Sequence, residues 1–248
     1  TVSLGENHSC ALNTNGEVFC WGDNSEGQLA STILPESNIP LQIPHLSKIT
    51  MIASGNNHTC ALHTKGEVFC WGDNRSGQIG NKKIQDKVTV SLVQDLKNVK
   101  QISAGGSTTC ALTNEGSVYC WGDNTFSQSG VENSLENKNA KVISPNKIDT
   151  LQDISMISVG ENHSCALTSN SLVDCWGSNS NNNFQLGKIT KNSIYPTPIE
   201  VPNVFDMKSI SAGGLHTCGL KENGSIYCWG NNYQGQLGNG EFSASNGR

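Results

Sequence analysis

Ten cysteines, six histidines and three recurring aspartates are the residues of this chain equipped for chemistry. The cysteines come in five pairs, each ten residues apart: Cys10 with Cys20, Cys60 with Cys70, Cys110 with Cys120, Cys165 with Cys175, and Cys218 with Cys228. Residues of this type can form disulfides, stay as buried thiols or ligate a metal. Zinc sites usually carry close Cys-x-x-Cys spacings, and none occurs. His8, His58, His163 and His216 each stand two positions before a first cysteine. Equivalent positions of a repeat lie apart in space, so these histidines predict structural hydrogen bonds rather than one metal centre. Asp23, Asp73 and Asp123 follow Trp-Gly and read as turn-capping side chains. Ser178 and Asn231 at the equivalent places spoil a calcium reading. No nucleophile elbow, His-Glu-x-x-His, phosphate loop or dinucleotide fingerprint is present. The expectation is a protein that is not an enzyme and takes no metal or cofactor.

The cysteines mark an internal repeat. Trp-Gly follows every second cysteine, at Trp21, Trp71, Trp121, Trp176 and Trp229. Successive first cysteines are 50, 50, 55 and 53 residues apart. A period near fifty signals a repeat architecture.

Each copy reads as short strands. A part-apolar segment ends at Gly5, Gly55, Gly105, Gly160 or Gly213 and predicts a strand and a turn. His-Ser-Cys-Ala-Leu predicts a second strand and Glu-Val-Phe-Cys-Trp a third, rich in β-branched and aromatic residues. A three-residue hairpin loop with Gly16 left-handed joins them. That register sets Leu12 opposite Val18, Ala11 opposite Phe19 and Cys10 opposite Cys20. Directly opposed cysteines are within disulfide reach. Five intrablade disulfides are therefore expected, each stabilising by about 2–3 kcal/mol at most, because the closed loops are short. Ser171 replaces the hairpin glycine in copy four, which predicts mild strain. Alternation puts Cys10, Leu12, Val18 and Cys20 on one face and Ala11, Phe19 and Trp21 on the other. Both faces are largely apolar, so the sheet must be covered on both sides. The links supply candidate fourth strands at 39–43, 88–92 and 198–201, whose prolines suit an edge.

Four antiparallel strands per repeat, covered on both faces, predict an all-β chain: a β-propeller of four-stranded blades. The reading is one repeat domain, 1–248, with copies near 1–50, 51–100, 101–155, 156–208 and 209–248, the last lacking its fourth strand. Each copy is expected to supply a small core of its own. The start without Met or a signal-like segment reads as a processed form or excised piece, part of a larger ring.

The residues also resemble a known family. Gly-x-x-His-[Ser/Thr]-Cys-Ala-Leu, then Gly-x-Val-[Phe/Tyr]-Cys-Trp-Gly-[Asp/Asn]-Asn, then Gly-Gln-[Leu/Ile]-Gly is similar to the regulator of chromosome condensation repeat. Residues 52–80 and 210–238 match at almost every motif position. Copy three departs with Thr108 for His and Ser127 for Gly, and copy four has Phe184 for Gly with two added residues before Gln185. The resemblance implies a propeller, usually seven-bladed, that binds proteins on a ring face. Among the family are a nuclear exchange factor for a small GTPase and a secreted enzyme inhibitor. The paired cysteines mark an extracellular variant.

Composition narrows the partner. The chain has 248 residues, a net charge of −5, 29 asparagines and 26 glycines. That balance argues against nucleic acid, which needs a basic face. No apolar run reaches the ~18 residues of a membrane helix, so no membrane insertion is expected. Disulfides place the chain in an extracellular, cell-surface or periplasmic compartment. Asn7, Asn57, Asn162 and Asn223 stand in Asn-x-[Ser/Thr] triplets. His45 and His63 read as isolated and exposed. Between Trp-Gly-[Asp/Asn]-Asn and the following Gln, each copy varies freely. These loops emerge on one face, which is how a constant scaffold presents a binding surface. Glu26, Arg75, Phe126, Asn182 and Tyr233 are the partner-binding candidates. The expected function is a secreted or surface protein-binding scaffold. The alternatives are a guanine nucleotide exchange factor, a secreted enzyme inhibitor or a glycan-binding module.

Overall fold

In a computed structural model the described residues are 1–133, 140–179, 184–188 and 192–242, and all their regular elements longer than a turn are β-strands. The strands fall into five antiparallel sheets in chain order. The first holds β1 (Val2–Leu4), β2 (His8–Leu12), β3 (Val18–Asp23) and β4 (Glu36–Gln42). The second holds β5 (Ile49–Ser54), β6 (His58–His63), β7 (Val68–Asn74) and β8 (Gln85–Leu92). The third holds β9 (Val99–Gly105), β10 (Thr108–Thr113), β11 (Val118–Asp123) and β12 (Lys141–Lys147). The fourth holds β13 (Ile154–Val159), β14 (His163–Thr168), β15 (Val173–Ser178) and β16 (Ile194–Glu200). The fifth has three described strands, β17 (Met207–Ala212), β18 (His216–Lys221) and β19 (Ile226–Gly230). Each sheet is a meander, and the first strand of each blade packs against the first strand of the next. This is a propeller, with the first strands nearest the axis.

The hairpin register is the one the sequence predicts. Cys10 faces Cys20, Ala11 faces Phe19, Leu12 faces Val18, and the Asn13 amide donates to the Glu17 carbonyl at 3.0 Å. All five cysteine pairs are bonded, with Cα atoms 4.0–4.1 Å apart. Gly16 is left-handed at φ 77°, and Ser171 occupies the same region at φ 63°, where an L side chain is strained. The outer strands start earlier than the apolar runs suggest, at Glu36, Gln85 and Ile194. An outermost strand packs on one side only, so its first residues need not be apolar.

The cores lie between blades rather than within them. Cys60, Leu62, Val68 and Cys70 of blade two pack on Ile102, Ala111 and Trp121 of blade three. The same exchange joins blades one and two, three and four, and four and five. The described residues thus form four interblade cores, not one per copy. Burying each such aliphatic side chain is worth about 1.5–3 kcal/mol, so neighbouring blades depend on one another.

Polar latches fix each blade on its neighbour. The indole Nε1 of Trp71, Trp121, Trp176 and Trp229 donates to the carbonyl of Gln28, Gln78, Gln128 and Gln185 in the preceding blade, at 2.8, 2.8, 2.9 and 3.0 Å. His8, His58 and His163 place Nε2 2.8 Å from Thr59, Thr109 and Thr217 of the following blade. Thr109 Oγ1 donates to the Gln78 carbonyl at 3.0 Å, so the Thr109 proton is used and His58 Nε2–H must supply the other. Blade three has Thr108 instead of His, and Thr108 bonds within its own blade. There Gln101 reaches across, with its amide 3.0 Å from the Ile157 carbonyl and its oxygen 3.0 Å from the Ile157 amide.

Candidate functional site

Two sets of loops share one end of the strands. The first set is the turns between first and second strands, and the second set is the variable loops after the third strands. Main-chain bonds tie them: Asp23 N to Asn7 O, Asp73 N to Asn57 O and Asp123 N to Ser107 O, each 2.9 Å, with matching bonds at Ser178 and Asn231. The variable loops therefore stand around the axial turns on the same ring face. The hairpins and the links between blades occupy the opposite face.

The axial turns of all five blades converge on one depression of about 410 Å³. Residues 5–6, 55–56, 105–106, 160–161 and 213–214 line it, with Leu4, Ser54, Ala104, Val159 and Ala212 as its wall. Glycine is required there by close approach. A Cβ on Gly55 would collide with the His58 ring and lie 2.7 Å from the Gly106 carbonyl. Interblade bonds hold the turns together, Glu6 N to Asn56 O at 3.0 Å and Asn56 N to Gly106 O at 2.8 Å. Glu6 and Glu161 are exposed at the rim, in blades one and four. Sequence reasoning misses these turns as a site; the glycine recurring before each His is the signal that could have found them.

The variable loops are held by capped turns. Asp23 Oδ1 accepts from the Ser25 amide at 2.9 Å, and Asp23 Oδ2 accepts from Gln28 Nε2 at 2.9 Å. Asp73, Asp123 and Asn231 accept from the amides of Arg75, Thr125 and Tyr233 in the same way. Burial works to raise the Asp23 pKa, but the bonds from Ser25 and Gln28 outweigh it and hold the carboxyl below its usual range. These acids are structural turn acceptors.

Glu26 and Arg75 meet across the first blade interface, Nη2 to Oε1 at 2.9 Å, while Arg75 Nε lies 2.9 Å from Asp73 Oδ1. The hydrogen bond and charge of Asp73, with Glu26 beside it, raise the Arg75 pKa further. Phe126 is half-buried on blade three, and Tyr233 is 55% exposed on blade five. Asn182 lies outside the described residues. The structure thus brings two of the five candidates into contact and spreads two more around the same face. Of the isolated histidines, His45 is exposed. His63 is half-buried, edge-on to Phe69 with centroids 6.5 Å apart, because the hairpin folds it against that ring.

Burial disfavours the charged form of the latch histidines. Desolvation lowers His8 and His58 to about 4 and His163 to about 3. Asp23 and Asp73 pull His8 and His58 the other way without overcoming burial. The Nδ1 atoms of His58 and His163 have no acceptor among the described residues, so a second proton there would be unsatisfied. Among the described residues no group of three or more His, Cys, Asp or Glu could hold a metal ion.

Comparison with known proteins matches this geometry. A family model described as the RCC1-like domain matches residues 1–246. The human probable E3 ubiquitin-protein ligase HERC6 is 37% identical over 113 residues, 44% of this chain and 11% of that protein. The human regulator of chromosome condensation is 30% identical over 94 residues, 38% of this chain and 22% of that protein. The aligned parts therefore span only a small share of these relatives' lengths. The yeast RCC1 protein Prp20, solved with Kap60 bound, superposes with a TM-score of 0.87 at 28% identity, over 99% of this chain and 59% of that one. This chain belongs to the RCC1-like domain family.

Proposed function

We propose that this chain is a non-enzymatic, protein-binding propeller of an extracellular, cell-surface or periplasmic compartment. Its partner docks on the face that carries the axial depression and the variable loops. The observation that carries the reading is the convergence of all five blades on one depression ringed by loops of variable sequence. A rigid scaffold with variable tips suits recognition. Tyr233 and Phe126 are aromatic anchors of the type that dominates interface energetics. The axial turns and the tethered Glu26–Arg75 pair supply a polar surround. Five disulfides with no free cysteine support an oxidising compartment.

The test is capture of partners from extracellular or periplasmic extracts by the wild-type chain and by a Phe126→Ala, Tyr233→Ala double variant. Partner loss with unchanged thermal stability is expected. Recovery at wild-type levels would remove this face from binding. Nucleotide exchange on a small GTPase is the second reading, favoured by the similarity to the regulator of chromosome condensation. It requires a reducing compartment, so ten alkylatable thiols in protein taken from its native source would support it against the first.

A further inference from the structure

The fold sorts the Asn-x-[Ser/Thr] triplets: those at Asn7, Asn57 and Asn162 lie in the axial turns, that at Asn74 opens a variable loop, and that at Asn223 lies in a hairpin on the opposite face. Five occur, at Asn7, Asn57, Asn74, Asn162 and Asn223. An attached glycan must reach water in the folded chain, and the triplet must stay presentable.

Asn74 fails the first condition. Its side chain is fully buried, Oδ1 accepts from the Ile79 amide at 3.0 Å, and Nδ2 donates to the Lys83 carbonyl at 2.9 Å. Asn57 and Asn162 fail the second. Their triplets end in Thr59 and Ser164, which are buried in blade interfaces, Thr59 on His8 and Ser164 on the Gln128 carbonyl. Asn7 is exposed, but the next residue, His8, is buried and latched, and the triplet runs into β2. Asn223 meets both conditions. All three residues of Asn223-Gly224-Ser225 are exposed at the tip of the blade-five hairpin. Asn223 Oδ1 accepts from the Ser225 amide at 3.0 Å, a bond that does not engage Nδ2. The Cys218–Cys228 bridge closes the loop around this tip, so folding leaves the triplet presented.

We infer that Asn223 is where this chain carries an asparagine-linked glycan when it passes through a compartment that attaches them. Nδ2 displaces the pyrophosphate from the anomeric carbon of a lipid-pyrophosphate-linked oligosaccharide. A C–N bond forms, the C–O bond to the pyrophosphate breaks, and the amide gives up one proton. The hairpin lies on the ring face opposite the axial depression, so the glycan leaves the proposed docking surface open. Two residues before Asn223, Lys221 holds its ammonium over the Phe205 ring, which is 51% exposed. The inference rests on the extracellular reading above.

Secretion of the full chain from a eukaryotic host, followed by intact mass with and without amidase release, tests it. Thiol alkylation of the same sample reports the disulfides. One glycan is expected, lost in Asn223→Gln and in Ser225→Ala, and retained in Asn7→Gln, with no alkylatable thiol in any variant. Fully bridged protein with no glycan at Asn223, or with its glycan at Asn7, Asn57 or Asn162, would overturn the inference and leave the extracellular reading intact. Ten free thiols would overturn both.

Discussion

His58 is held between two blades through one ring nitrogen. Its Nε2–H meets Thr109, while Nδ1 has no acceptor among the described residues. The consequence is a pH dependence of known sign. An unfolded histidine titrates near 6.5, whereas burial holds His58 and His8 at about 4 and His163 at about 3. Inside that window the unfolded chain binds more protons. Stability is therefore full above pH 6.5 and falls as pH drops towards 4, by on the order of 1–3 kcal/mol per histidine. Urea melts from pH 7 to 5, mostly above the ordinary carboxylate range, should show declining midpoints, and His58→Gln should flatten the slope. Midpoints independent of pH there would refute this account of the latch. Trp121 makes a second kind of latch, its indole donating to a Gln78 carbonyl that Thr109 also uses. Trp121→Phe keeps most of the apolar area and removes the donor. Calorimetry should register a loss of about 1–2 kcal/mol, for the bond and the smaller ring together.

The hairpin is the element in which local sequence has the most authority. Directly opposed cysteines close each one, and a left-handed residue turns it. Copy four keeps that backbone with Ser171 at φ 63° rather than glycine. Ser171→Gly should relieve the strain and stabilise by up to about 1 kcal/mol, seen as a raised denaturant midpoint. A lowered midpoint would mean that the Ser171 side chain contributes more than its backbone costs. The first strand is the opposite case. Its glycine turn is shaped by the neighbouring blade, since the obstacles to a side chain on Gly55 include a carbonyl of blade three.

At the scale of the molecule, stability is a sum over blades and the interfaces between them. Blades two, three and four each contribute to two interblade cores, while blades one and five contribute to one. The equivalent residues Val2 and Ile52 show the difference, 61% exposed in blade one and 5% in blade two. Hydrogen exchange on the isolated chain should protect β6, β7, β10, β11, β14 and β15 longest and release β1 and β19 first. Uniform protection across the five blades would mean that the ring unfolds as one unit. The shared axial depression belongs to this scale as well, because no single blade forms it.

The sequence by itself determined the blade. Strand pattern, glycine turn and cysteine spacing are local, each settled within about thirty residues. Five copies, their hairpin register and the Cys10–Cys20 type of bridge are therefore legible from the order of residues alone. Asp23 as a turn acceptor is legible for the same reason, since its partners Ser25 and Gln28 are nearby in the chain. What only the tertiary structure decided involves residues about fifty positions apart. His8 meets Thr59, Glu26 meets Arg75, and the small cores form between copies rather than inside them. The choice of Asn223 over Asn57 is likewise hidden, because burial of Thr59 is a property of the next blade's packing. A repeat specifies its own unit through short-range spacing. The angle at which one unit meets the next sets the axis, the shared depression and the side chains that reach water, and no single copy encodes that angle.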